Sequence, residues 1–110
     1  MEAKAMTWQV RVSTDKVRAV LELIRGKKAA DALTILKFTP NRSARYIEKT
    51  LKSALANAEH NFGLDMDKLF VVLATADQGA YMKRFRPVSH GRAHPFRRHT
   101  SHITVAVAEK

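Results

Sequence analysis

The residues best equipped to engage another molecule are crowded into Met82–His102, MKRFRPVSHGRAHPFRRHTSH. These 21 residues hold six Lys or Arg, four of the chain's five His, two Pro, one Gly and no Asp or Glu. The acid-free run around them extends from Gln78 to Ala108. Lys83, Arg84, Arg86, Arg92, Arg97 and Arg98 suit phosphate, the arginines in bidentate fashion. Tyr81, Phe85, Phe96 and the rings of His90, His94, His99 and His102 can stack on unpaired bases. Gly91 lets the backbone approach a crowded RNA surface where a side chain would clash. Cations interleaved with rings, and acids excluded, point to RNA. The plainer reading is a solvated basic loop, which explains the charge but not the spacing of the aromatics.

Other chemistries fit this stretch less well. The histidine spacings match no zinc signature, and the neighbouring arginines would repel a dication, so neither a metal nor another cofactor is predicted. Ser89–His90 and Ser101–His102 are adjacent pairs, which a strand points to opposite faces. No carboxylate lies near in sequence to orient an imidazole. Elsewhere, Asp65 and Asp67 read as a solvated turn rather than a magnesium pair. Arg25–Lys28 (RGKK) reads as a solvated helix end, with phosphate contact as the alternative. Met82 is either a gap-filler or an apolar wedge, and Trp8 reads as core.

The totals point the same way. A chain of 110 residues with 45% hydrophobic residues supports one domain with one modest core. Its formal charge is +10, from 20 Lys and Arg against 10 Asp and Glu. Self-repulsion of that size is relieved by a polyanion, nucleic acid first and an anionic membrane surface second. Without cysteine there are no disulfides and no thiolate zinc sites, which fits a reducing cytosol. The start MEAKAMTWQVRV lacks the apolar stretch of a secretory leader, and no run approaches the roughly 20 apolar residues of a membrane span. A soluble, cytoplasmic protein bound to something anionic is expected.

The elements that must position the basic segment follow from periodicity. Ala5–Val12 alternates as a strand, with Trp8, Val10 and Val12 on one face. Ser13 and Thr14 stand where a helix N-cap belongs, and Asp15 complements the helix dipole. Val17, Val20, Leu21 and Ile24 form one helical face, and Gly26 stops it. A second helix is predicted over Lys28–Lys37, with Ala29, Ala32, Leu33 and Leu36 inward and Thr39-Pro40 ending it. Asn41 caps a third, with Ala44, Ile47, Leu51, Ala54, Leu55 and Ala58 inward, Phe62 completing the face and Gly63 closing it. Leu69–Asp77 reads as a central strand. In His102–Ala108, Ile103, Val105 and Val107 alternate with Thr104, Ala106 and Ala108.

The predicted order is therefore β-α-α-α-β-(basic segment)-β. Its class is α+β, three helices packed on a small three-stranded, mainly antiparallel sheet with a long protruding basic β-hairpin over about residues 78–102. The connection between the last two strands, about 25 residues, is far longer than a hairpin loop needs. Two extended arms with a tip at Pro87–Ala93 would reach roughly 30 Å beyond the core. Such arms carry little apolar burial and need a partner to cover them.

At this point the motifs themselves become informative. VRVSTDKVRAVLELIRGK, SALANAEHN (Ser53–Asn61), MKRFRP (Met82–Pro87), GRA (Gly91–Ala93) and HTSHITVAVAEK occur in the order and spacing of one family. Over nearly its whole length the chain resembles the universal L-twenty-two family of bacterial large-subunit ribosomal proteins. The resemblance implies a small α+β body with a long β-hairpin, and binding to large-subunit (23S-type) rRNA beside neighbouring ribosomal proteins. It also implies a role in subunit assembly and a hairpin tip lining the nascent-peptide exit tunnel, near nascent peptide and macrolides, with Met82–Arg84 in the macrolide-sensitive region. The protein would be a monomer within the ribosome, with no membrane partner and no enzymatic activity.

Carried onto this sequence, the implied RNA-binding set is Arg11, Lys16, Arg18, Lys83, Arg84, Arg86, His90, Gly91, Arg92, His94, Arg97, Arg98, His99, Thr100 and Ser101. Several positions depart from the family pattern. Thr14 and Asp15 stand where Ser-Pro-Arg-Lys has Pro and Arg, so Asp15 is not expected to touch phosphate. Asp-Glu-Gly-Pro becomes Asp77-Gln78-Gly79-Ala80. Val88 takes a typically basic position, and Lys-Lys-Arg becomes Arg97-Arg98-His99. Two other classes compete: an architectural DNA-binding protein using a basic β-arm, and a small RNA-cleaving enzyme using His99 or His102.

Overall fold

A computed structural model describes residues 2–79, 82–87, 93–98 and 100–109, with 82–87 and 93–98 described by their backbone. The elements run β1 (Glu2–Val10), α1 (Thr14–Ile24), α2 (Ala29–Phe38), α3 (Arg42–Phe62), a 3-10 turn (Met66–Lys68), β2 (Leu69–Gln78), β3 (Met82–Pro87), β4 (Ala93–Arg98) and β5 (Ser101–Glu109). The α+β architecture is as expected: three helices cover one face of an antiparallel sheet, and a two-stranded β3–β4 ribbon continues from it.

Each helix forms where its apolar spacing and its stop signals agree. Val17, Val20, Leu21 and Ile24 of α1 are all buried. The chain leaves α1 through Gly26 at φ +79°, a left-handed turn that glycine takes at little cost. α3 ends in the same way on Gly63 at φ +62°, whose N–H donates to the Ala58 and Glu59 carbonyls. The inner face of α3 alternates small and large residues, Ala44, Ile47, Leu51, Ala54, Leu55 and Ala58, all buried. The alanines bring the helix close to the sheet, where Ile103, Val105 and Val107 of β5 meet it fully buried. Phe62 does not complete this face; it is 44% exposed at the end of α3. Asp65 accepts the Asp67 backbone N–H at 3.0 Å, a side-chain-stabilised turn.

Two strand assignments change. The sheet order is β1-β5-β2, so β5 is central and the apolar run at Leu69 is an edge strand. Its density of Val and Leu is explained by cover on its outer rim. The α1–α2 connection pairs with it, Gly26 N–H donating to Val71 O and Val71 N–H to Lys27 O, both at 2.9 Å. Farther along, Arg25 Nη2 donates to Ala74 O at 2.7 Å, and Arg18 Nε and Nη2 donate to Ala76 O at 3.2 and 2.9 Å. These contacts occupy carbonyls that an open edge would offer to another strand. The opposite rim is tied to α3, where Asn57 donates to Lys4 O at 2.9 Å and the Thr7 and Thr50 hydroxyls share a hydrogen bond of 2.6 Å.

The second change is in β1, which starts at Glu2 and ends at Val10. Its register against β5 shifts between Thr7 and Val10, so Trp8 and Gln9 together stand opposite His102. This is a β-bulge, and it reverses the facing of the strand. Ala3 and Ala5 point to the core before it, Val10 and Val12 after it. Trp8 lies outside the core, 63% exposed. Gln9 sits at φ +51°, a left-handed conformation that costs a side-chain-bearing residue of order 1 kcal/mol.

The strain at Gln9 yields the first prediction. Gln9→Gly should leave thermal stability equal or slightly higher, since glycine removes the strain and adds unfolded-state entropy of similar size. Gln9→Val, β-branched, should cost about 1–2 kcal/mol. Thermal melts followed by circular dichroism would check both signs.

Candidate nucleic-acid interface

The basic segment leaves the body as a continuation of the sheet. The β2–β5 register runs from Leu69↔Glu109 to Gln78↔Ser101, and Gly79 N–H donates to Thr100 O at 2.8 Å one step farther out. Antiparallel pairing resumes at Met82↔Arg98 and runs to Pro87↔Ala93. Lys83, Arg84 and Arg86 thus lie on β3, and His94, Arg97 and Arg98 on β4, paired as Lys83↔Arg97, Arg84↔Phe96 and Arg86↔His94. No acidic residue occurs on either strand to balance them. His90, Gly91, Arg92 and His99 lie outside the described residues. The radius of gyration, 16.9 Å, exceeds the roughly 13 Å of a compact chain of this length, and the principal extents are 62 × 26 × 16 Å.

The root of this ribbon is where the body's candidate residues gather. Ser101, fully buried, donates its hydroxyl to Val12 O at 2.5 Å, pinning the β1–α1 bend against the start of β5. Arg18, bonded to Ala76 O, holds α1 against the end of β2. Arg11 in the bend and Lys16 in the first turn of α1 are exposed beside these two anchors. Arg18 commits two of its N–H groups to the carbonyl and is otherwise exposed, so one side chain can brace the strand and still present charge. Thr100 and Ser101 are placed differently: both are buried at the root, where Ser101 serves the sheet.

Three features of the root had escaped the sequence reading. A Cβ at Gly79 would run into the Thr100 hydroxyl, with the His102 ring 3.2 Å away, so any larger residue there must displace those side chains. His102 accepts the Gln9 backbone N–H at Nδ1, 3.0 Å, which puts the proton of the neutral ring on Nε2. Its ring packs on Trp8 at 4.6 Å between centroids, tilted 60°. The parity break between Ala3/Ala5 and Val10/Val12 was the available signal for the bulge behind this pair. Arg45 is also structural, its Nη2 donating to the Leu36, Lys37 and Thr39 carbonyls at 2.6–3.1 Å and closing the end of α2. Among the described residues no group of three His, Asp or Glu could hold a metal ion, and no helix is long and apolar enough to cross a membrane.

These contacts make the root rigid, and that is testable. Ser101→Ala strips the Val12 carbonyl of its partner and should cost about 1–3 kcal/mol. Gly79→Ala should cost a similar amount by crowding Thr100. Both losses would register as lowered midpoints in urea titrations.

The chain was also compared with known protein families. A family model described as Ribosomal protein L22p/L17e matches residues 5–108, which spans both the helical body and the projecting ribbon. That family is structural rather than enzymatic, and its members bind rRNA in the large ribosomal subunit, in the cytoplasm. The chain belongs to the Ribosomal protein L22p/L17e family.

Proposed function

We propose that the β3–β4 ribbon, with Arg11, Lys16 and Arg18 at its root, is the surface by which this protein grips large-subunit rRNA. We further propose that its tip reaches the wall of the peptide exit tunnel. The observation that carries this reading is that the antiparallel β2–β5 ladder of the body, paired as far as Gln78↔Ser101, is followed along the same two arms by the antiparallel β3–β4 pair of an acid-free ribbon. Six of the chain's Lys and Arg lie in Met82–His102, with no carboxylate to neutralise them. Phosphate is the natural counter-charge, and folded RNA supplies it on both sides of a thin ribbon. Lys83, Arg84, Arg86, Arg92, Arg97 and Arg98 would contact phosphate, His90, His94 and His99 would stack or pair, and Gly91 would allow close approach at the tip. Thr100 and Ser101 would serve by setting the ribbon's exit angle.

On this reading the protein supports assembly by bridging RNA segments that the body alone cannot reach. Its tip passes near nascent peptide, and changes at Met82–Arg84 alter macrolide sensitivity. Neighbouring ribosomal proteins would meet the body rather than the ribbon.

Salt titration tests the interface. If six to eight phosphates are neutralised, log affinity for a large-subunit rRNA transcript should fall with log salt at about −0.7 to −0.9 per contact. Arg84→Ala, Arg92→Ala and Arg98→Ala should each flatten the slope by about one such increment. Replacing Met82–His99 by an Asn-Gly turn should remove most of the slope while leaving the melting temperature nearly unchanged. An affinity indifferent to salt would overturn the proposal.

A further inference from the structure

The sheet has one face under the helices and one without them. On the open face, the register places Trp8 and His102 in one row with Asp77, and Met6, Thr104 and Thr75 in the next. Trp8 is 63% exposed and Met6 46% exposed. A tryptophan held outside the core needs an explanation, because burying it would have stabilised the fold substantially. Here the backbone works against burial. β1 carries Trp8 on the open face with Lys4 and Met6, and the bulge that follows, with Gln9 at φ +51° and its N–H bonded to His102, returns Val10 to the core without turning Trp8 inward. Bulges of this kind re-aim a side chain, and strain kept at one position marks a site where the surroundings maintain it.

The indole is not free to swing. His102 packs on it at 4.6 Å, and that ring is itself fixed by its bond to Gln9. The result is a braced aromatic platform with one broad surface open to solvent. Around it, Arg11 is exposed three residues along the chain and Lys4 is exposed on the same strand. One acid, Asp77, is exposed at the far end of the His102 row. A flat, immobilised indole beside cations is the chemistry of a nucleobase-stacking site: the base covers the ring and the cations take its phosphates. An apolar protein partner fits less well, because the chain carries a net charge of +10 that a polyanion relieves.

We propose that Trp8, braced by His102, receives one unpaired base of the rRNA at the root of the ribbon, a contact separate from the phosphate grip of the arms. This rests on the rRNA-binding reading above and adds to it a specific residue and a specific kind of contact.

Trp8 is the chain's one tryptophan, so its emission reports this site alone. The full-length protein is titrated with a large-subunit rRNA transcript, with binding followed independently by filter retention. Stacking should quench Trp8 emission in parallel with binding, and a fully paired RNA duplex should bind by charge without quenching. Trp8→Ala should weaken transcript binding about tenfold with an unchanged salt slope, and Trp8→Tyr should recover most of the loss. Since Trp8 is outside the core, both variants should melt near the parent. A Trp8→Ala variant that folds and binds as the parent does, or an emission unchanged at saturation, would overturn the stacking site and leave the phosphate interface standing. Loss of emission response together with a flat salt dependence in the parent would instead overturn the underlying rRNA reading, and this site with it.

Discussion

The structure depends on one constraint: the two arms that carry the basic ribbon must be held firmly where they leave the sheet of the body. β2 and β5 pair inside the body from Leu69↔Glu109 to Gln78↔Ser101, and β3 and β4 carry the pairing outward to Pro87↔Ala93. Hydrogen bonds alone do not support an isolated two-stranded ribbon in water. The inner half must therefore be over-determined. β5 is central, bonded on both sides, and its Ile103, Val105 and Val107 are fully buried. The small inner residues of α3 let that helix press on it closely.

The cations of the body and those of the ribbon stand in different surroundings. Arg18, Arg25 and Arg45 spend N–H groups on backbone carbonyls, Arg18 and Arg25 along the rim of β2 and Arg45 at the end of α2. They make the body rigid and guard an edge. The cations of the ribbon have no acidic neighbour in sequence. A charge that braces and a charge that waits for a partner look alike in composition.

Much of this was legible from residue order. The faces of α1 and α3, the glycine exits at Gly26 and Gly63, and the alternation from Ile103 to Val107 all follow from periodicity, because each is a local preference that packing reinforces. The errors came where a distant element decided the outcome. Leu69–Gln78 looked central because its rim is covered, and the cover comes from Gly26–Lys27 and from Arg18 and Arg25, remote in sequence. Trp8 looked buried because it shares parity with Val10 and Val12, and the bulge at Trp8–Gln9 cancels that parity. Phe62 continues the spacing of α3, but it lies in the helix's last turn and is left exposed. Of the candidate interface, the charge and its segregation were plain from sequence; the gathering of Arg11, Lys16 and Arg18 at the ribbon's root was not, since it depends on Ser101 meeting Val12 and on Arg18 meeting Ala76.

The division between a self-supporting body and an arm completed by RNA is most directly tested by amide hydrogen exchange on the free protein and on its rRNA complex. The account predicts strong protection of β2 and β5 amides such as Val71 and Val105 in both states. It predicts weak protection of β3 and β4 amides in the free protein and a large gain on binding RNA. Amides from Phe85 and Arg97 as slow to exchange in the free protein as that of Val71 would contradict it, because the ribbon would then hold its shape without a partner.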